Sequence, residues 1–146
     1  MSFEREWEAA LTKIDKINDK VVQDSANELF GKIVDNTPVG DPSQWQTKRA
    51  PSNYRPGKLK ANWQASVGTS KTTKLEGNRD VSGSSTKGQI KSALSSFKTN
   101  LTAYLSNNQP YAGKVEDGYS KQAPAGMVKR ALLSWQDIIN KHSKGR

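Results

Sequence analysis

The chain has no cysteine and a single histidine, His142. Without thiols it forms no disulfide and offers no thiolate ligand, and no Cys/His cluster has the spacing of a metal site. That usage is compatible with a cytoplasmic origin. No run of about 18 apolar residues occurs, so no membrane span is expected. Met1 to Trp7 is already polar and charged, so no secretory segment is expected. Apolar residues make up only 33% of the chain and the mean hydropathy is -0.83. Both values are low for a self-contained globule. They point to an extended shape, or to a subunit whose burial is completed in an assembly.

Catalysis is short of parts as well. His142 lies near the C-terminal end and reads as a solvated terminal histidine. No serine can be matched with a well-placed histidine base. Glu116 and Asp117 are adjacent, which on a helix points them about 100° apart, poor geometry for a carboxylate dyad. The stretch GNRDVSGSSTKG is rich in glycine but lacks the spacing of a phosphate-binding P-loop. No enzyme, metal or cofactor is expected.

What the chain has in quantity is positive charge, unevenly spread. Residues 1–41 hold nine acids and five bases, a net of -4, while residues 42–146 hold five acids and eighteen bases, a net of +13. Pro42 to Leu75 carries seven Lys/Arg and no acid. Such polarity steers acidic partners, either nucleic acid or protein. Trp45, Lys48, Arg49, Tyr54, Arg55, Lys58, Lys60 and Trp63 interleave cations with aromatics, a pattern that can neutralise phosphates and stack bases. No RNA-binding motif, zinc finger or helix-turn-helix accompanies it. The alternatives are a solvated basic loop with Trp63 in the core, or non-specific contact with DNA.

The expected class is α+β: a long N-terminal helix and a C-terminal helix packed on a small, mostly antiparallel sheet. One domain, 1–146, is expected, with a long helix over 1–36, a basic Pro-rich loop over 37–57, and sheet and helices over 58–146. Phe3, Trp7, Leu11, Ile14, Ile17, Val21, Leu29 and Ile33 recur at helical spacing, and Thr37-Pro38 stops the helix. About 45–50 Å of helix needs a partner surface, either this domain's own sheet or another chain. Lys58 to Asn62 suits one helical turn. Trp63, Ala65, Val67 and Thr69 alternate as in a strand, and so do Leu101, Ala103 and Leu105. Lys71 to Ser85 reads as a flexible connector or a hairpin, with a weak strand starting at Lys74-Leu75. Ser85 or Thr86 opens a helix carrying Ile90, Ala93, Leu94 and Phe97. Pro110 begins a helical turn that Gly118 ends. One last helix carries Met127, Ala131, Leu132, Trp135, Ile138 and Ile139.

Two stretches carry more than secondary structure. The first runs TPVGD, a basic insert, then RPGKLKANWQASVG. The second is LSNNQPYAGKVEDGYSKQAPAGMVKRAL. Thr37, Pro38, Val39, Gly57, Leu59, Asn62 and Trp63 form one pattern. Asn108, Pro110, Tyr111, Ala112, Val115, Glu116 and Gly118, then Gln122, Ala123, Pro124, Gly126, Met127 and Val128, form the other. Together they resemble the small neck, or tail-completion, proteins of the head-tail joining region of long-tailed bacteriophages. The match follows the chain in order, with the first pattern split between Val39 and Gly57.

The resemblance implies a virion structural protein of the neck, assembled in the host cytoplasm. Its partners would be copies of itself in a sixfold or twelvefold ring, a head-completion or stopper ring, and tail-terminator or tail-tube proteins. The basic loop would make non-specific contact with packaged DNA if it lined the channel. Candidate subunit-interface residues are Tyr111, Glu116, Asp117, Tyr119, Gln122, Pro124 and Met127. Tyr111 offers a rigid apolar body with a polar tip. Glu116 can pair with a base of the next subunit, or bond amides of its own chain. Free DNA binding through the aromatic, basic loop stands as the alternative function.

Overall fold

The computed structural model describes residues 3–40 and 55–144. Helix α1, Phe3–Asn36, is followed by α2, Lys58–Ala61, and strand β1, Trp63–Val67. Then come α3, Ser84–Leu94; β2, Ala103–Asn107; α4, Ala112–Glu116; α5, Val128–Leu132; and α6, Trp135–Ser143. The class is α+β, as expected. The two strands pair antiparallel, with Trp63 opposite Asn107 and Val67 opposite Ala103.

α1 is the spine. Its C-terminal half packs on α3, α5 and α6, and α3 packs on β1. Ala26, Leu29, Phe30, Ile33 and Val34 supply its side of the core. Leu59, Trp63, Ile90, Leu94, Met127, Ala131 and Ile138 fill the other side. The spacing of 26, 29, 30, 33 and 34 is one face of a 3.6-residue helix. The N-terminal half is different. Trp7 and Leu11 are exposed, Ile17 and Val21 only half-buried, and full burial begins at Ser25. The Asp19 carboxylate accepts from the Thr99 amide at 2.6 Å, which ties α1 to the segment before β2. Among the described side chains from Arg5 to Asn18, all but Ile17 are exposed, over roughly 20 Å of helix.

Three expectations need correction. Lys74-Leu75 is no strand. The segment lies beside the sheet but is held by side-chain amides instead of a backbone ladder: Gln64 Nε2 donates to Thr73 O, Asn62 Oδ1 accepts from the Leu75 amide, and Asn108 Nδ2 donates to Lys71 O. The last helix is two pieces. Ser134 sits at φ -95°, ψ 0°, and breaks it between α5 and α6. Consequently Leu132, expected in the apolar stripe, is half exposed. His142 is not solvated. It is mostly buried, with Nε2 3.0 Å from Glu28 Oε1, and Lys141 Nζ donates to the same oxygen at 2.7 Å. These contacts fasten α6 to α1, and the Lys141 hydrogen bond leads in holding the Glu28 carboxyl below its usual range.

Candidate functional site

The two motif stretches fold into two small constructions. In the first, Thr37 Oγ1 donates to Ile33 O and accepts from Trp63 Nε1, both at 2.7 Å. The Gly57 amide donates to Val39 O at 2.7 Å. Val39 and Gly57, separated in sequence, are thus joined at one point. Asn62 completes the junction: its Nδ2 donates to Lys58 O while its Oδ1 takes the Leu75 amide.

In the second construction, Glu116 is the hub. Its Oε1 accepts from the amides of Met127 and Val128 at 2.7 and 2.8 Å, and Oε2 from the Lys129 amide at 2.9 Å. A helix start leaves such amides without intrahelical partners, and here a carboxylate from α4 takes them. Burial works to raise the Glu116 pKa, but the amides of Val128, Lys129 and Met127 outweigh it and the carboxyl ends below its usual range. The backbones close in around it. Gly118 and Gly126 have φ of 91° and 83°. A Cβ at Gly118 would meet Pro124 O at 2.7 Å, and one at Gly126 would meet Glu116 O at 2.6 Å. Only glycine meets both the positive φ and the close approach.

The candidate interface residues divide accordingly. Glu116 is spent within the chain, which is the amide-bonding alternative of the two. Met127 is 1% exposed and belongs to the core. Gln122 is half-buried, and Pro124 is exposed with its carbonyl against Gly118. Asp117 is exposed, 3.8 Å from Lys129 Nζ, a surface pair worth little. Tyr111 and Tyr119 are on the surface, Tyr119 the more exposed of the two.

Of the loop residues, Trp45, Lys48, Arg49 and Tyr54 lie outside the described residues. Arg55 is exposed and its carbonyl accepts from Arg79 Nε at 3.2 Å. Lys58 is half-buried. Lys60 is buried, with Nζ donating to Val81 O at 3.3 Å, so it is no free cation for DNA. Trp63 is in the core.

Sequence reasoning missed two features. Asp80 caps α3: Oδ1 accepts from the Gly83 amide, and Oδ2 from the Thr86 amide and hydroxyl. Burial raises its pKa, but these hydrogen bonds prevail and lower it. An acidic residue just before the Gly83-Ser84-Ser85-Thr86 start was the available signal. The second is the elbow between α5 and α6, where Leu132 and Leu133 are both exposed.

Two grooves are lined by described residues. A groove of about 490 Å³ between α1 and α3 is rimmed by Glu28, Lys32, Asp35, Lys87 and Lys91. An apolar groove of about 370 Å³ lies among Val22, Ala26, Phe97, Leu101 and Trp135. Among the described residues no group of three or more His, Cys, Asp or Glu is placed to hold a metal ion. No helix among them is long and apolar enough to cross a membrane. No family model matches the chain, and comparisons with curated proteins and with solved structures return no significant match.

Proposed function

We propose that this chain is a structural subunit of the neck of a long-tailed bacteriophage, forming a ring that completes the tail and joins it to the DNA-filled head. The observation that carries the reading is the exposed apolar face of the outer part of α1. Its apolar face runs on past the core to Leu11 and Trp7, which are 41% and 57% exposed. A helix end of this length gains little stability alone. It has a use if a neighbouring subunit covers it.

The motif residues support the neck reading. Val39 and Gly57, separated in sequence, are joined by a hydrogen bond, so the split pattern is continuous in space. The Glu116 hub and its glycines make a rigid edge of α4 and α5. Rigid, pre-set edges reduce the ordering that association requires. The charge division between residues 1–41 and 42–146 lets unlike faces of neighbouring copies meet. Free DNA binding is the weaker reading, because Lys60 and Trp63, two members of its strip, are taken up inside the fold.

The test is deletion of the gene from the encoding phage, with the lysate viewed by negative-stain electron microscopy. DNA-filled heads beside separate, full-length tails are expected. Ordinary infectious particles would overturn the neck reading and bring DNA binding forward, to be checked by its salt dependence.

A further inference from the structure

Two basic segments, distant in sequence, lie side by side. The first holds Arg55 and Lys58, the second Lys71, Lys74 and Arg79. Arg79 Nε donates to Arg55 O at 3.2 Å, and the Asp80 amide donates to Gly57 O at 3.1 Å. Asn62 ties them again, its Nδ2 donating to Lys58 O while its Oδ1 accepts from the Leu75 amide. Asn108 Nδ2 donates to Lys71 O and Thr73 O, which holds the start of the second segment against the end of β2. Arg55, Lys71, Lys74 and Arg79 are exposed, and Lys58 is half-buried.

The acids nearby are few. From residue 42 to residue 115 the chain has twelve bases and two acids, Glu76 and Asp80. Asp80 is committed to the start of α3, and the positive charge of Lys60 acts on it. Glu76 lies inside the patch, with Oε1 3.1 Å from Lys74 Nζ. The Lys74 hydrogen bond leads in holding the Glu76 carboxyl below its usual range, and the charges of Lys74, Lys58 and Arg79 act in the same sense. One carboxylate thus sits among three cations.

We propose that this surface holds the phosphate backbone of duplex DNA, without reading its sequence, and that a phosphate takes the place of the Glu76 carboxylate among the cations. The phosphate contact stands on the patch alone; DNA, as opposed to RNA, rests on the neck reading. The surface is of the wrong kind for an acidic protein. From Gly68 to Asp80 every exposed side chain is Thr, Ser, Lys, Glu, Asn or Arg; Leu75 is half-buried, and only Val81 borders the patch as an exposed apolar group. Protein interfaces have an apolar centre and are poor in Lys and Ser, whereas DNA interfaces are polar and positive, and hydroxyls and amides join Lys and Arg on phosphates. It is also of the wrong kind for a single strand, which needs aromatic platforms for its bases. Among residues 55–80 the one aromatic, Trp63, is buried.

Fluorescence anisotropy of a short labelled DNA duplex with the full chain tests this. About four phosphates neutralised give a slope of roughly -4 in log K against log salt, at about 0.9 for each. Lys71→Gln/Lys74→Gln is expected to reduce that slope by about 2 and to weaken binding at least about tenfold at 0.1 M salt. The control, Lys91→Gln/Lys98→Gln, removes the same charge from exposed lysines beside α1, near the α1–α3 groove and Asp19, and is expected to stay close to wild type. Glu76→Gln frees Lys74 and removes the competitor, so it is expected to tighten binding several-fold. This gain cannot come from damage to the fold. Circular dichroism checks that each variant is folded. Polyglutamate carries a charge about every 3.5 Å against about 1.7 Å for the duplex, and is expected to bind more weakly. A wild-type chain that binds no duplex at low salt would overturn the proposal. So would a control pair that weakens binding as much as the patch pair, Glu76→Gln that binds like wild type, or a single strand or polyglutamate that binds more tightly than the duplex. Failure here leaves the gene-deletion phenotype standing, and a normal phage after deletion leaves the phosphate contact standing.

Discussion

The indole Nε1 of Trp63 donates to Thr37 Oγ1 at 2.7 Å, with both residues buried. Trp63 opens the sheet and Thr37 follows the long helix, so one hydrogen bond joins the end of α1 to the strand pair. Thr37→Val keeps the shape but leaves the indole N–H unpartnered. The expected loss is about 1–3 kcal/mol, because a buried donor left alone loses its full solvation. In a urea denaturation cycle, Thr37→Val/Trp63→Phe should lose less than the two single changes added together. Strict additivity would show that the bond contributes nothing of its own.

The Glu116 hub should behave as a structural clasp. Glu116→Gln keeps the size, removes the charge and replaces one accepting oxygen by an NH2 group that cannot accept, so at least one of the three amide hydrogen bonds is lost, with an expected loss of about 1–3 kcal/mol. The pH sign follows from the lowered pKa. The folded carboxyl titrates below the ordinary value of 4.5, so its contribution is complete above that pH and is lost as pH falls through the folded value. Glu28, lowered chiefly by its hydrogen bond from Lys141, acts in the same direction. Melting temperature should fall steeply below about pH 4.5, and less steeply in Glu116→Gln. Parallel pH profiles for the two proteins would remove Glu116 from this role.

Glycines should divide by position. Gly118→Ala and Gly126→Ala force a Cβ to within 2.7 and 2.6 Å of a backbone oxygen, and each is expected to destabilise strongly. Gly31 and Gly88 lie inside α1 and α3, and a Cβ at either meets nothing within 4 Å. Alanine there should stabilise by about 0.5–1 kcal/mol through helix propensity. Thermal melts of the four variants check the ordering.

Burial should also separate the two halves of α1. Leu94→Ala, at a fully buried partner of the inner half, is expected to cost about 2–5 kcal/mol. Trp7→Ala and Leu11→Ala should leave the melting temperature of the isolated chain within about a degree or two. A large loss at Trp7 would mean that the outer half belongs to the fold itself.

The long helix, the two strands and the helical turn before Gly118 were legible because each rests on local pattern: apolar periodicity, alternation, and Pro or Gly at the ends. The Glu116 contacts were legible only as one of two alternatives. A carboxylate near basic residues suits a salt bridge as well as a cap, and the chain alone does not say that the Met127, Val128 and Lys129 amides converge on it. Lys60 was misread because a cation in a basic stretch looks solvated. Its Nζ donates to the carbonyl of Val81, which is distant in sequence. The elbow at Ser134 had no signal, since Met127 to Ile139 keeps a continuous helical stripe through the break. His142 was misread for the same kind of reason: its partner, Glu28, belongs to the first helix.

The central claim is that this chain joins heads to tails, and complementation in vitro tests it most directly. Extract from cells infected with the gene-deleted phage is mixed with the purified protein and titred for plaques. The account predicts that titre rises by orders of magnitude with wild-type protein, and that intact necked particles replace separate heads and tails in the microscope. A titre that stays at background with folded protein, while heads and tails remain apart, would contradict it.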